Sequence, residues 1–150
     1  MAAEEELASF LEKFTPEICR LAGEIIAAMR RRYPGADVLV YDNYNALAVG
    51  FGPSQKTSEA IFSIAVYPRW VSLFFLQARG LSDPAKRLKG TGNVAKHVLL
   101  GSALELDEPE IRALMLDAEA KAKVPFREPG VGVLAIKSIS AKQRPRRPAQ

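Results

Sequence analysis

The sequence predicts an α+β domain: an antiparallel sheet of five to six strands, covered on one face by N-terminal and C-terminal helices. Three observations predict it. Apolar residues recur with helical period near both ends of the chain. Between them, short apolar runs follow one another at hairpin spacing. Strands gathered between helices, rather than alternating with them, exclude a βαβ arrangement.

Each element has a local reason. Leu7, Phe10, Leu11 and Phe14 stand at i, i+3, i+4 and i+7, one apolar stripe on a first helix. Thr15-Pro16-Glu17 supplies an N-cap, a proline at the first helical position and an early acid that suits the helix dipole. The second helix runs to about Tyr33, buries Ile18, Leu21, Ala22, Ile25 and Met29, and stops at Pro34-Gly35. Val38 to Tyr41 is a first strand, and Asp42-Asn43-Tyr44-Asn45 is turn chemistry. The second strand, Ala46 to Gly52, alternates Leu47, Val49 and Phe51 with a face of small residues that leaves room for a helix or a ligand. Ile61 to Tyr67, then Trp70 to Gln77 across the tight Pro68-Arg69 connection, give the third and fourth. The fourth is apolar on both faces and predicts an interior position. Lys96 to Leu100 is a shorter fifth. Asp107 with Glu110 three residues later resembles a capping box for a last helix whose buried face is Ile111, Leu114, Met115, Ala118 and Ala122. Val131 to Ile136 reads as a late strand that joins a sheet edge or a partner, and so would permit a homodimer.

Composition bounds the rest. With 150 residues, 48% of them apolar, the chain suits one domain, read as 1–140, with enough apolar mass for a core. No apolar run approaches the ~20 residues of a bilayer span, which excludes a membrane partner of that kind. The acidic start, Met1-Ala2-Ala3-Glu4-Glu5-Glu6, lacks the apolar centre of a secretory peptide, and the single Cys19 cannot form an internal disulfide or a Cys-based zinc site. A cytoplasmic protein is the expectation. The net charge of +4 comes from the end of the chain. Residues 141–150 hold Lys142, Arg144, Arg146 and Arg147; setting those four aside leaves 17 basic against 17 acidic residues. That pattern reads as a solvated, basic Pro/Arg-rich tail on a neutral body. It makes nucleic acid an unlikely partner except through the tail.

The richest candidate site is Leu88 to Val98. Lys89, Gly90, Thr91, Gly92, Lys96 and His97 place two glycines, two cations and the sole histidine in one loop. Such a loop can turn backbone N–H groups and lysines toward one anion; the same residues would equally make a surface turn with solvated lysines. Gly90 to Ala95 spells the G-x-G-x-x-A of a dinucleotide fingerprint, but no strand precedes it and no helix follows it, so that reading is rejected. Trp70 and Phe74 share a strand face and could give a ligand apolar contact, or be core. No acid stands near His97 in sequence, and no catalytic pair is evident.

The long helix ending in Arg-Arg-Arg-Tyr-Pro-Gly, the runs Ala46 to Phe51 and Val66 to Phe75, Leu88-Lys89-Gly90-Thr91-Gly92, the helix after Asp107 and the ending Ile136 to Ser140 together resemble the YdhG-like family of small bacterial domains. The resemblance covers roughly residues 17–140. It implies a small α+β domain similar in layout to frataxin, and an iron chaperone role, delivering Fe(II) for iron–sulfur assembly, described for some relatives. Surface acids such as Glu4 to Glu6 or Asp107 to Glu110 would then hold the iron. The residues themselves predict no cofactor and no metal set. They predict a non-enzymatic binding domain that recognises a small anionic ligand or an acidic protein partner through Lys89–His97, with Trp70 and Phe74 beside it. The iron chaperone is the alternative.

Overall fold

The computed structural model describes residues 2–127 and 130–149. Three helices and a six-stranded open sheet form one α+β layer pair. The helices are α1 (Ala2–Leu11), α2 (Pro16–Arg32) and α3 (Pro109–Lys121). The strands are β1 (Asp37–Asp42), β2 (Leu47–Gly52), β3 (Phe62–Val66), β4 (Val71–Phe75), β5 (Lys96–Leu100) and β6 (Leu134–Ile139). Short 3-10 turns at Thr57–Glu59 and Ala103–Asp107 complete the chain.

The sheet order is β5-β4-β3-β2-β1-β6. The first five strands are an antiparallel meander, each paired with its neighbour in sequence. The expected all-antiparallel sheet is corrected at its edge: β6 runs parallel to β1, which makes the sheet mixed. The physical reason is the route. After α3 the chain crosses back to the far side of the sheet and enters alongside β1 from the Pro34–Ala36 end. There the Gly132 N–H donates to the Pro34 carbonyl at 2.9 Å, and a Cβ at Gly132 would collide with the Ala36 carbonyl oxygen. A side chain is therefore excluded where the two segments cross. The strand also begins later than expected, since Val131 and Val133 are exposed and pairing starts at Leu134.

One core joins the helices to one face of the sheet. Leu7, Phe10, Leu11 and Phe14 of the first segment, Ile18, Ala22, Ile25 and Met29 of α2, and Ile111, Leu114, Met115 and Ala118 of α3 are all buried in it. The sheet contributes Val38, Val40, Val49, Phe51, Phe62, Ile64, Leu73, Phe75 and Val98. A fully buried side chain of this size contributes about 1.5–3 kcal/mol by removal from water. Cys19 is a half-buried thiol packed at the margin of this core. Thr15 caps α2 as expected, its Oγ1 accepting from the Ile18 N–H at 3.4 Å. The expected Asp107–Glu110 capping box does not form. Pro109 opens α3, Glu108 occupies the cap, and the Asp107 carboxylate pairs instead with Arg32 of α2.

The end of the chain is largely exposed, but the expected solvated tail is corrected at Arg146. Arg146 is only 5% exposed. Its Nη2 donates to Asp42 Oδ1 at 2.9 Å and to the Asn43 carbonyl at 2.6 Å. Lys13 reaches the other Asp42 oxygen at 2.7 Å, and Arg147 Nε donates to the Lys13 carbonyl at 3.2 Å. Arg146 and Arg147 thus clamp the end of β1 to the end of α1. At the other end of β1, Asp37 accepts from Arg127 at 2.8 Å and from the Val133 N–H at 2.9 Å. Among the described residues, no helix is long and apolar enough to cross a membrane.

Candidate functional site on the open face of the sheet

Helices cover one face of the sheet, and strand alternation sets what the opposite face carries. Cross-strand register places Leu39, Gly50, Ser63, Phe74 and His97 in one row on that opposite face. Lys89 extends the row, because Lys89 and His97 exchange backbone hydrogen bonds at 2.7 and 2.9 Å as an isolated antiparallel bridge. The neighbouring row runs Tyr41, Ala48, Ala65, Ser72 and Leu99. Small residues at the centre and rings at both sides leave a shallow hollow of roughly 500 Å³. Its floor is Ala48, Ser63 and Ala65; Tyr44 and Asn45 stand at one side, Tyr67 and Phe74 at the other. This is the small-residue face of β2 that the sequence left room for.

The structure brings some of the expected site residues together and separates others. Phe74 and His97 meet, their rings 4.9 Å apart, and Lys89 is next in the row. Gly90 has φ +115°, a left-handed conformation that glycine alone adopts freely, and lies close to His97 Nδ1. Trp70 precedes β4 and stacks on Tyr67 at 5.3 Å, half-exposed at the rim. Thr91 and Gly92 lie in the exposed turn. Lys96 alternates to the other side of the sheet from His97, where it lines a smaller cleft with Arg79 and Asn93. The two lysines therefore cannot converge on one anion at His97. The backbone N–H groups of Lys89 and His97 are already engaged in the bridge, so the cation and the rings, rather than an amide nest, are what this corner offers.

Four of the acids named for iron, Glu4, Asp107, Glu108 and Glu110, are held by arginines. Glu4 takes a two-pronged bond from Arg30 at 2.9 and 2.8 Å, which with that cation's charge holds its carboxyl below the usual range despite some burial. Asp107 pairs with Arg32, and Arg87 bridges Glu108 at 3.1 Å and Glu110 at 3.3 Å. Among the described residues, no three of the His, Cys, Asp and Glu side chains converge as a metal set.

Sequence reasoning missed a second polar centre. Tyr33, at the end of α2, donates its hydroxyl to Glu119 of α3 at 2.7 Å. Burial foremost, and then that hydrogen bond, push the Tyr33 phenol far above its ordinary pKa, so it stays a donor. No local signal announces this pair, because it depends on how α2 and α3 pack. Comparisons of the chain with protein-family models, with curated proteins and with solved structures return no match.

Proposed function

We propose that this chain is a non-enzymatic binding domain whose open sheet face recognises a small ligand with a flat or apolar body and one negative group. The observation that carries the reading is the row Phe74–His97–Lys89 beside a floor of small residues. Rings give the body an apolar wall, and Lys89, exposed and without an ion-pair partner among the described residues, supplies the charge. A lysine on a sheet edge holds an anion as a point charge without demanding one geometry. Helices gathered over one face of the sheet support, in addition, a YdhG-like domain of frataxin-like layout. The iron chaperone has less support, since among the described residues no three potential metal-ligating side chains come together.

The test is an amide-resolved NMR titration of the labelled chain with indole-3-carboxylate and, separately, inorganic phosphate. Saturable shifts at Phe74, His97 and Lys89 with the aromatic carboxylate, weakened at least about tenfold by Lys89→Ala and little by Lys96→Ala, are expected. Shifts confined to other surfaces, or indifference to Lys89→Ala, would overturn the reading.

A further inference from the structure

A second cleft, roughly 880 Å³, lies between the end of α2, α3 and the segment from Pro125 to Arg127. Its charged lining is Arg32, Arg112, Arg127 and Glu119. These groups are not equivalent. Arg32 is committed to Asp107, to the Leu106 carbonyl at 3.1 Å and to Met115 Sδ at 3.4 Å. Arg127 is committed to Asp37. Arg112 has no side-chain partner among the described residues, and Glu119 has no cation, only the Tyr33 hydroxyl on Oε2. Among the described residues, the cleft thus presents one positive and one negative group without an ion-pair partner.

Both come from the same side of α3. Arg112 and Glu119 are seven residues apart, two helical turns, so they project along one face about 10 Å apart at the backbone. Tyr33 feels both signs: burial and then Glu119 raise its pKa, and Arg32, followed by Arg112, opposes the rise. Beside the polar pair, Phe126 lies on Tyr33 with ring centroids 4.8 Å apart, and Pro34 and Pro125 extend the apolar wall.

We propose that this cleft binds a small zwitterion with an apolar or aromatic body, a free α-amino acid being the simplest, with its carboxylate on Arg112, its ammonium on Glu119 and its side chain against Phe126. A plain anion on Arg112 would face the Glu119 carboxylate, and a plain cation on Glu119 would face the Arg112 guanidinium. Only a ligand carrying both signs, in the opposite order, is attracted at both ends. The guanidinium fork suits a carboxylate, and the Tyr33 hydroxyl fixes the rotamer of the Glu119 side chain that meets the ammonium.

The experiment titrates the labelled full chain with L-phenylalanine and with two analogues lacking one charge each, 3-phenylpropionate and 2-phenylethylamine. Phenylalanine should shift the amides of α3, Tyr33 to Ala36 and Phe126 saturably, and each analogue should bind at least about tenfold more weakly. Arg112→Gln and Glu119→Gln should each weaken phenylalanine to a similar degree. Arg112→Gln should leave the amine analogue no weaker, and Glu119→Gln should leave the acid analogue no weaker. No saturable response in the cleft, or 3-phenylpropionate binding as tightly as phenylalanine, overturns the proposal. Both substitutions are at half-buried surface positions, and retention of the amide spectrum separates lost binding from lost fold.

Discussion

Ending the chain at Ser140 should destabilise it substantially. The truncation removes Arg146, whose side chain is 4% exposed, from an Asp42 side chain that is 0% exposed. Depriving a buried charge of its partner costs about 3–5 kcal/mol. Two features place the loss near the lower end. Lys13 remains on Asp42 at 2.7 Å, and the vacated space admits water to the carboxylate. The Arg146 guanidinium also lies 5.7 Å from the Phe14 ring, a contact of about 0.5–1 kcal/mol that goes with it. The expected loss is therefore about 3 kcal/mol, or about 6–12 °C in Tm for a chain of this size. Urea unfolding followed by circular dichroism measures it. Arg146→Met, which keeps an aliphatic stem near Phe14, should lose about 2–3 kcal/mol, and adding Asp42→Asn should recover part of that because a neutral pair has no stranded charge. A truncated chain within about 0.5 kcal/mol of the full one would refute the clamp and restore a solvated tail.

Four further outcomes are expected. Burial, the largest influence on the Asp42 carboxyl, raises its pKa, but hydrogen bonds from Lys13, Gln143 and Arg146 together bring it below the ordinary value. Its ionised form thus stabilises the fold above about pH 4, and that contribution is lost as pH falls through the depressed native value; urea midpoints between pH 2 and 6 should fall more steeply for the native chain than for Asp42→Asn. Thr15→Ala should cost about 1 kcal/mol through the lost cap on α2, read in the same unfolding assay, and an unchanged midpoint would argue against it. Gly132→Ala should cost more than about 2 kcal/mol, since the Ala36 carbonyl that it meets is backbone and cannot swing aside; a neutral result would mean that the crossing relaxes freely. Ala48→Leu, filling the floor of the open face, should abolish indole-3-carboxylate binding while leaving the unfolding midpoint within about 1 kcal/mol, and retained binding would move the site off this face.

The helices and the meander were legible because their signals are local. The stripe from Leu7 to Phe14, the Thr15-Pro16 start and the alternation of Leu47, Val49 and Phe51 each depend on residues within a turn or a strand; the structure buries the two apolar sets and forms the Thr15 cap. What failed depends on partners far along the chain. A period of two says which face a strand buries but not the direction of its neighbour, so the parallel pairing of β6 with β1 carried no signal. Asp107 had the sequence of a cap, but Arg32, arriving from α2, competes for the same carboxylate. Pro145 and Pro148 correctly exclude regular structure around Arg146, yet an irregular segment can still bury a guanidinium where an acid awaits it. Of the candidate site, the small-residue floor could be read from alternation, whereas the meeting of Phe74 with His97 and of His97 with Lys89 required the register.

The parallel edge has a consequence for the order of assembly. The meander pairs strands that are neighbours in sequence, but Val38 must wait for Leu134, and the entropy of closing that far longer loop makes the contact topologically late. Until then β1 is a bare edge whose middle, Val38-Leu39-Val40, invites pairing with another chain. Asp37 and Asp42 stand at its two ends as charged gatekeepers against such pairing. The same two acids are later the posts on which the returning chain is tied, Asp37 to Arg127 and the Val133 amide before β6, Asp42 to Arg146 after it. One pair of carboxylates thus first keeps foreign strands away and then admits the chain's own.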